Sequence, residues 1–162
     1  MITLRPIRQE DIFSLMDIME ANNDSTRVKV RRLYLKEVRG KPVEKGFDLV
    51  ALYCKLKKIS DVHDFAILLD DKLIGVTGYC KEKGRYDLSW FHVTKEHQGK
   101  GYGSQALAEI EKILTKPCEV KVDTGYTKAV KFYEKHGYIV VKIVPHYYPQ
   151  GDDNYVMTKM LL

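Results

Sequence analysis

Three glycines within five residues, at positions 99, 101 and 103, are the most chemically suggestive feature of this 162-residue chain. They stand between a strand-like run at 88–93 and a helical pattern whose apolar positions run from 106 to 114. The first N–H groups of a helix lack internal partners, and the helix dipole adds positive potential there. Glycine has no Cβ to keep an anion away from those groups, and Lys100 adds a charge. The spacing therefore predicts a cradle for a pyrophosphate.

Other phosphate-binding motifs fit this loop less well. The dinucleotide fingerprint requires Gly-x-Gly-x-x-Gly inside a βαβ unit, whereas the order here is Gly-x-Gly-x-Gly. A P-loop requires Gly-Lys followed by Ser or Thr, and Gly99-Lys100 is followed by Gly101. From the residues alone, a tight strand-to-helix turn without a ligand stays open as the alternative.

Two motifs resemble those of one protein family. Residues 98–103, Gln-Gly-Lys-Gly-Tyr-Gly, resemble the Arg/Gln-x-x-Gly-x-Gly/Ala signature of the GNAT acetyltransferase superfamily. Residues 129–138, which end in Phe-Tyr-Glu-Lys-His-Gly-Tyr, resemble the second motif of that family. The resemblance implies a single α/β domain over 1–162, with a mixed sheet of about seven strands and four or more helices. It also implies acetyl-coenzyme A as cosubstrate, coenzyme A as product, and no metal.

The resemblance places the cofactor on specific residues of this sequence. The loop amides would hold the pyrophosphate, and the backbone of the preceding strand would pair with the pantetheine arm. Tyr126 stands where the ribosomal-protein alanine acetyltransferases of this superfamily usually have an asparagine that contacts the cofactor. The implied cofactor-binding residues are Phe91, His92, Val93, Gln98, Gly99, Lys100, Gly101, Tyr102, Gly103, Ser104, Tyr126 and Tyr133.

Acetyl transfer to an amine requires removal of a proton from the amine and stabilisation of the departing thiolate. By resemblance, Tyr133 is the general acid that meets the sulfur, since a phenol can donate to a thiolate. Asp87 falls where related histone acetyltransferases carry a glutamate base. Asp123, His92 and water remain alternatives for the base. A core tyrosine and an exposed strand carboxylate are the structural alternatives to the two assigned roles.

The acceptor is less well defined. Lys121 stands where the ribosomal-protein alanine acetyltransferases usually have a glutamate, yet residues 146–157 resemble the tail of that branch. In that branch such a tail brings tyrosines to the acceptor peptide, so Tyr147 and Tyr148 are candidate substrate-binding residues. We expect a peptide or protein amine slightly ahead of a polyamine or an aminoglycoside-like amine. A non-catalytic acyl-coenzyme A-binding regulatory module is the alternative from another class.

Composition sets further bounds. The chain has 44% hydrophobic and 30% charged residues, which are globular values, and no apolar run of membrane-spanning length. Its start shows no signal-peptide core, and three scattered cysteines are typical of a reducing compartment, so we expect a cytoplasmic protein.

The net charge of +5 is concentrated in 26–58, where there are eleven Lys and Arg but only three Asp and Glu. That segment is either a solvated helical face or a surface for an acidic partner. Nucleic acid is not expected, and a homodimer stays open.

The pattern of apolar residues predicts the order of the elements. Short alternating or apolar runs predict seven strands, at 2–8, 65–69, 73–80, 86–93, 118–123, 138–144 and 155–160. Helical spacing predicts helices at 12–21, 26–38, 43–58, 104–114 and 127–136, with Gly137 just beyond the last of them.

Overall fold

The computed structural model describes residues 1–22, 61–147 and 151–161. Seven strands form one sheet: β1 (Ile2–Pro6), β2 (Val62–Leu69), β3 (Lys72–Glu82), β4 (Arg85–Val93), β5 (Cys118–Asp123), β6 (Ile139–Val144) and β7 (Asn154–Lys159). The described α-helices are α1 (Ile12–Ala21), α2 (Tyr102–Glu111) and α3 (Thr127–Lys135), with 3₁₀ turns at Gln9–Asp11 and Lys95–His97. The predicted mixed α/β sheet is thus confirmed. The helices predicted at 26–38 and 43–58 lie outside the described residues.

The strands follow the order β1-β2-β3-β4-β5-β7-β6, and every neighbouring pair is antiparallel except β4 and β5. The parallel pairing of β4 with β5 covers only residues 86–88 and 118–120. Beyond it, residues 89–93 of β4 and 121–123 of β5 no longer pair with each other, and we call the space between them the β4–β5 cleft. A β-bulge in β4 lies at the same level, because Val76 is opposite His92 while Gly78 is opposite Ser89. A bulge of this kind bends a strand away from its neighbour.

The alternation of side chains along β4 and β5 separates an apolar face from a polar one. Leu88 and Val120 pack with Leu107 and Ile110 of α2 in the main core, which also contains Tyr133 of α3. On the opposite face, α1 packs its apolar side chains against β3. The charged residues of β4 and β5, at 85, 87, 119 and 121, alternate with the core residues and so share that opposite face. Among the described helices, none has the length and apolar character that crossing a bilayer requires.

The end of α3 is fixed by glycine, as the sequence predicts. Gly137 has φ +85°, a conformation that residues with a Cβ rarely adopt. Its N–H donates to the Glu134 carbonyl at 3.0 Å, and the Tyr138 N–H donates to the Tyr133 carbonyl at 3.0 Å. These two bonds form a Schellman motif. They start β6 directly after the helix and fix the last turn of α3, which carries Tyr133.

Candidate functional site

The loop of residues 98–104, the glycine cradle, connects β4 and the Lys95–His97 turn to α2. Gly99 has φ +73° and Gly101 has φ +82°, and Gly101 is the N-cap of α2 without a side-chain cap. A Cβ built on either glycine would meet no atom within 4 Å, so the space above the loop is open. Within the described ranges, no chain oxygen accepts a hydrogen bond from the backbone N–H groups of residues 99–104. The open space and the uncommitted donors at a helix N-terminus fit a phosphate group.

The side chain of Gln98 holds the cradle in place. Its Nε2 donates to the Val93 carbonyl and to Asn22 Oδ1, both at 2.8 Å. Asn22 in turn donates to the Ile18 carbonyl at 2.8 Å and to the Val93 carbonyl at 3.3 Å. Gln98 therefore ties the loop to the end of β4 and to the end of α1. Gln98 therefore positions the loop through contacts within the chain. No pattern in the sequence points to its partner Asn22.

Phe91, His92 and Val93, the three β4 residues predicted to pair with the pantetheine arm, differ in whether their backbone groups already have neighbours in the chain. The carbonyl of Val93 already accepts from Gln98 and Asn22. The carbonyl of His92 lies against β3, where a Cβ on Gly75 would come within 2.4 Å of it. Phe91 lies in the bulge and has no opposite residue in the pairing register with β3. Of the three, Phe91 is the residue whose backbone fits best beside an extended ligand in the β4–β5 cleft.

Aromatic packing joins the cradle to Tyr133. A Cβ built on Gly103 would lie 3.5 Å from the Phe132 ring and 3.9 Å from the Phe91 ring. The Phe91 ring lies 5.6 Å from Phe132 and 6.3 Å from Tyr133, centroid to centroid. The start of α2, the bulge of β4 and the last turns of α3 thus meet around the cleft. Burial raises the pKa of Tyr133 well above its ordinary value, so its phenol stays protonated.

Asp87, the predicted base, is buried and forms an ion pair with Lys121 of β5. Burial by itself lowers the pKa of Lys121, but the hydrogen bond and charge of Asp87 outweigh it, with help from Tyr147 and Glu119, and the pKa is raised overall. Glu119 lies 3.9 Å from Lys121 and 3.3 Å from Arg85 Nε. A ladder of alternating charges therefore crosses from β4 to β5 beside the cleft. The raised pKa keeps the Lys121 member of the pair in its ammonium form.

The other candidate residues lie at the end of β5 or after it in the chain. Asp123 Oδ1 accepts from the Gly125 N–H at 2.8 Å, so this carboxylate shapes the turn after β5. Tyr126 is the exposed N-cap residue of α3. Tyr147 is exposed and close enough to Lys121 to influence its pKa. Tyr148 lies outside the described residues.

One polar group at the start of the cleft, the Ser89 hydroxyl, carries no signal in the sequence. Ser89 is the first residue of β4 beyond the pairing with β5, and its hydroxyl is buried without a hydrogen-bond partner among the described residues. A buried hydroxyl of this kind is available to a ligand. In the described part of the chain, no three His, Cys, Asp or Glu side chains are grouped as a metal site would require.

Comparisons with known proteins agree with this geometry. The family model described as "Acetyltransferase (GNAT) family" matches residues 27–138. No curated protein sequence matches the chain. Among solved structures, Ard1 from Thermoplasma volcanium is similar, with a TM-score of 0.72, 18% identity and coverage of 99% of this chain and 98% of that one.

Two further structures share the fold over nearly the whole chain. PaiA N-acetyltransferase from Thermoplasma acidophilum, in complex with coenzyme A, gives a TM-score of 0.68 at 20% identity and covers 99% of each chain. A chimera of the spermidine N-acetyltransferase SpeG from Vibrio cholerae with hSSAT gives 0.69 at 16% identity, covering 99% of this chain and 95% of that one. At these identities the three structures show a shared fold alone.

Proposed function

Because this chain belongs to the acetyltransferase (GNAT) family, we propose that it transfers the acetyl group of acetyl-coenzyme A to a primary amine, with the α-amine of a peptide or protein as the favoured acceptor. Acetyl-coenzyme A is the cosubstrate of the family. The observation that supports the proposal best is the glycine cradle, which opens beside the β4–β5 cleft and packs on the aromatic cluster around Tyr133. Binding, acyl positioning and thiol release can thus be served by adjacent residues.

The cradle and the cleft would hold different parts of the cosubstrate. The N–H groups of residues 99–104 would bind the pyrophosphate, with the exposed Lys100 adding a cation. The backbone of Phe91 would pair with the amides of the pantetheine arm. When bound, acetyl-coenzyme A supplies an activated thioester carbonyl. Removal of the amine proton and stabilisation of the departing thiolate have to come from the side chains that line the cleft.

Tyr133 would serve the departing sulfur. A thiol has a pKa near 8.5 and a phenol near 10, and burial raises the pKa of Tyr133 further. Complete proton transfer from this phenol to a thiolate is therefore uphill. A hydrogen bond from the hydroxyl still stabilises the negative charge that develops on sulfur, and a buried, preorganised donor does so more effectively than water. We assign Tyr133 this donor role. The attacking amine loses one proton and the departing thiolate takes one up, so the protons balance and the phenol is still protonated at the end of the reaction.

The ion pair of Asp87 bears on the choice of acceptor. The Asp87 carboxylate is already paired with Lys121, so taking a proton from a substrate ammonium would leave the partly buried lysine without its partner. At pH 7, an α-amine with a pKa near 7.8 is neutral in roughly one molecule in seven, whereas a lysine-type amine is neutral in about one in 2,500. The α-amine therefore needs least help from a base. We therefore favour a peptide or protein N-terminus over a polyamine or an aminoglycoside-like amine as the acceptor.

The same ion pair favours one second candidate. A module that binds acyl-coenzyme A without turnover needs the cradle but no free base, and Asp87 is not free here. The two candidates share cofactor binding and differ in the acetylation of an amine.

Two measurements test the proposal. Thermal unfolding with acetyl-coenzyme A, coenzyme A and NAD tests the cradle, and thiol release with peptides, spermidine and an aminoglycoside tests turnover. Stabilisation by the coenzyme A species alone, with thiol release on a peptide, supports the proposal. Stabilisation without release on any amine supports the binding module instead. No stabilisation would refute both.

The role of Tyr133 is tested with Tyr133→Phe against Tyr86→Phe. Tyr86 is a matched control because it is also buried in the main core, while its hydroxyl bonds Thr115 at 3.3 Å. We expect Tyr133→Phe to lower kcat roughly 100-fold and to leave the coenzyme A affinity within about twofold. Tyr86→Phe should leave both unchanged. Equal kcat in wild type and Tyr133→Phe would remove the donor role.

A further inference from the structure

The pairing register of β3 with β4 places two polar side chains of β4 on one face of the sheet. Residues opposite each other in an antiparallel pair have side chains on the same face, and so do residues two apart in one strand. Gly78 is opposite Ser89, and Val76 is opposite His92. Ser89 and His92 therefore share a face, although residues three apart in a regular strand lie on opposite faces. The β-bulge between them causes the difference.

This face is the one that the cosubstrate leaves open. Val76 packs with Leu15 and Ile18, so the Ser89 face is the face that carries α1 and the charge ladder. The glycine cradle, the Phe91 ring and Tyr133 belong to the opposite side, where α2 and α3 pack. Under the proposed function, acetyl-coenzyme A occupies that opposite side. The acceptor amine then has to reach the thioester from the Ser89 face.

The Ser89 hydroxyl lies at the point where this approach meets the sheet. Ser89 directly follows Leu88, the last residue of β4 that pairs with β5, so it stands at the start of the β4–β5 cleft. Its hydroxyl is buried and has no hydrogen-bond partner among the described residues. Gly78, its opposite residue in β3, has no side chain to offer. A buried polar group without a partner is costly to the fold, and one that is kept beside a cleft points to a ligand.

We propose that the Ser89 hydroxyl binds the amine of the acceptor and orients it toward the thioester; this inference rests on the proposed function. A neutral primary amine has two N–H groups and one lone pair. One N–H can donate to Ser89 Oγ, and this leaves the lone pair free to attack the carbonyl carbon. Ser89 takes up no proton in this role, so the proton balance of the reaction is unchanged.

The neighbours of Ser89 on this face fit an uncharged amine. Asp87 precedes it by two residues and shares its face, but the charge of this carboxylate is already paired with Lys121. The surroundings are therefore polar without a free negative charge. An ammonium that enters a partly buried site needs such a charge to replace its hydration, whereas a neutral amine needs only hydrogen-bonding partners. A hydroxyl meets that requirement.

The test compares Ser89→Ala with Thr77→Val. Thr77 is a matched control because its hydroxyl is also buried without a partner in the described ranges, but it is opposite Phe65, on the face of the main core. Thermal unfolding measures stability. Thiol release from acetyl-coenzyme A, with a library of hexapeptides that have free N-termini, measures turnover.

We expect neither variant to lose stability, because each removes a buried hydroxyl that has no partner in the free protein. Only Ser89→Ala should lose kcat/KM for the peptides, by about tenfold, which corresponds to one hydrogen bond. Its affinity for acetyl-coenzyme A should stay within about twofold of wild type. Equal kcat/KM in wild type and Ser89→Ala would overturn the proposal. A lower Tm in Ser89→Ala would indicate a structural role, and a weaker affinity for acetyl-coenzyme A would indicate a contact with the cosubstrate; either result would also overturn it.

Peptide binding separates this inference from the proposed function. Thermal unfolding of the coenzyme A complex with the same library measures binding of the free N-termini, whether or not thiol is released. We expect the library to stabilise wild type and Thr77→Val more than Ser89→Ala, and a library with acetylated N-termini to give no such difference. Absence of thiol release from wild type would refute the proposed function, while weaker peptide binding by Ser89→Ala would still support its contact with the amine. Equal stabilisation of all three proteins, or none, would overturn the role of Ser89.

Discussion

Replacing Gly101 by alanine tests whether the glycine loop binds a ligand or only forms a turn. Gly84 of the same chain serves as the control. Gly101 and Gly99 have φ of +82° and +73°, and Gly84 in the β3–β4 hairpin has φ +87°. A Cβ built on any of the three meets no atom within 4 Å. The cost of alanine is therefore backbone strain alone and is similar at each site. Only the location relative to α2 differs.

The expected stability loss is the same for the three variants. An L-residue in the left-handed region costs roughly 1–2 kcal/mol, and a less flexible unfolded chain offsets about 0.4–1 kcal/mol of it. Each variant should therefore lose about 1 kcal/mol of unfolding free energy, which lowers Tm by roughly 2–4 degrees for a domain of this size.

The effect on cofactor binding should not be the same. At Gly101 and Gly99 the new methyl group occupies the space above the cradle and keeps a phosphate from the backbone N–H groups. The loss of one hydrogen bond to a charged group costs about 1.5–3 kcal/mol, and 2 kcal/mol corresponds to a roughly 30-fold weaker affinity. At Gly84 no such loss is expected, because that turn is at the other end of β4.

Thermal unfolding with acetyl-coenzyme A measures both effects in one experiment. At about 100 times the wild-type dissociation constant, the ligand adds about 2.7 kcal/mol to wild type and to Gly84→Ala, but only about 0.9 kcal/mol to a variant that binds 30-fold more weakly. If Gly101→Ala and Gly99→Ala gain as much from the ligand as Gly84→Ala does, the glycines serve only the turn and the cradle is refuted. If Gly84→Ala also loses its gain, the effect is general destabilisation.

Two further predictions concern buried ionisable groups. Asp11 accepts hydrogen bonds from Arg5 at 2.6 and 2.8 Å, and this bidentate pair lowers the pKa of Asp11. The pair contributes about 1–2 kcal/mol to the unfolding free energy. This contribution is present above the unfolded pKa near 3.9 and is lost as the pH falls through the folded pKa. Asp11→Asn should therefore reduce the loss of unfolding free energy between about pH 6 and pH 3, and an unchanged loss in urea melts would contradict the pairing. Burial raises the pKa of Cys118 to about 11, so about one thiol in a thousand is ionised at pH 8. We expect iodoacetamide to label Cys118 only in denaturant, as measured by peptide mass mapping. Rapid labelling of Cys118 in the native protein would contradict its burial.

The parts of the fold that depend on local pattern could be predicted from the sequence. The seven strands alternate or run apolar over short stretches, and Gly137 marks the end of α3 because the left-handed position after a helix favours glycine. The glycine loop could be located for the same reason. Its helix begins at Tyr102, however, two residues earlier than its polar residues indicate, because Gly101 itself is the N-cap.

The parts that depend on register could not be predicted. Asp87 and Lys121 are 34 residues apart, and only the short parallel pairing of β4 with β5 brings them together. The apolar run 139–144 is typical of a buried strand, but its place at the sheet edge leaves it exposed. Neither the partner of a charge nor the edge position of a strand is encoded in the residues next to it.

The proposed preference for an α-amine depends most on the charge ladder of Arg85, Asp87, Glu119 and Lys121. A polyamine carries at least two cations, and its binding normally requires carboxylates that are not already neutralised. Here Asp87 is paired with Lys121, and Glu119 lies between Lys121 and Arg85. A second cation would have to displace Lys121 from a buried carboxylate, and breaking such a pair is costly because it leaves a buried charge uncompensated. A peptide N-terminus brings a single amine that is partly neutral at pH 7 and needs no such displacement. Under the proposed function, we therefore expect a polycationic acceptor to be a poorer substrate than an α-amine.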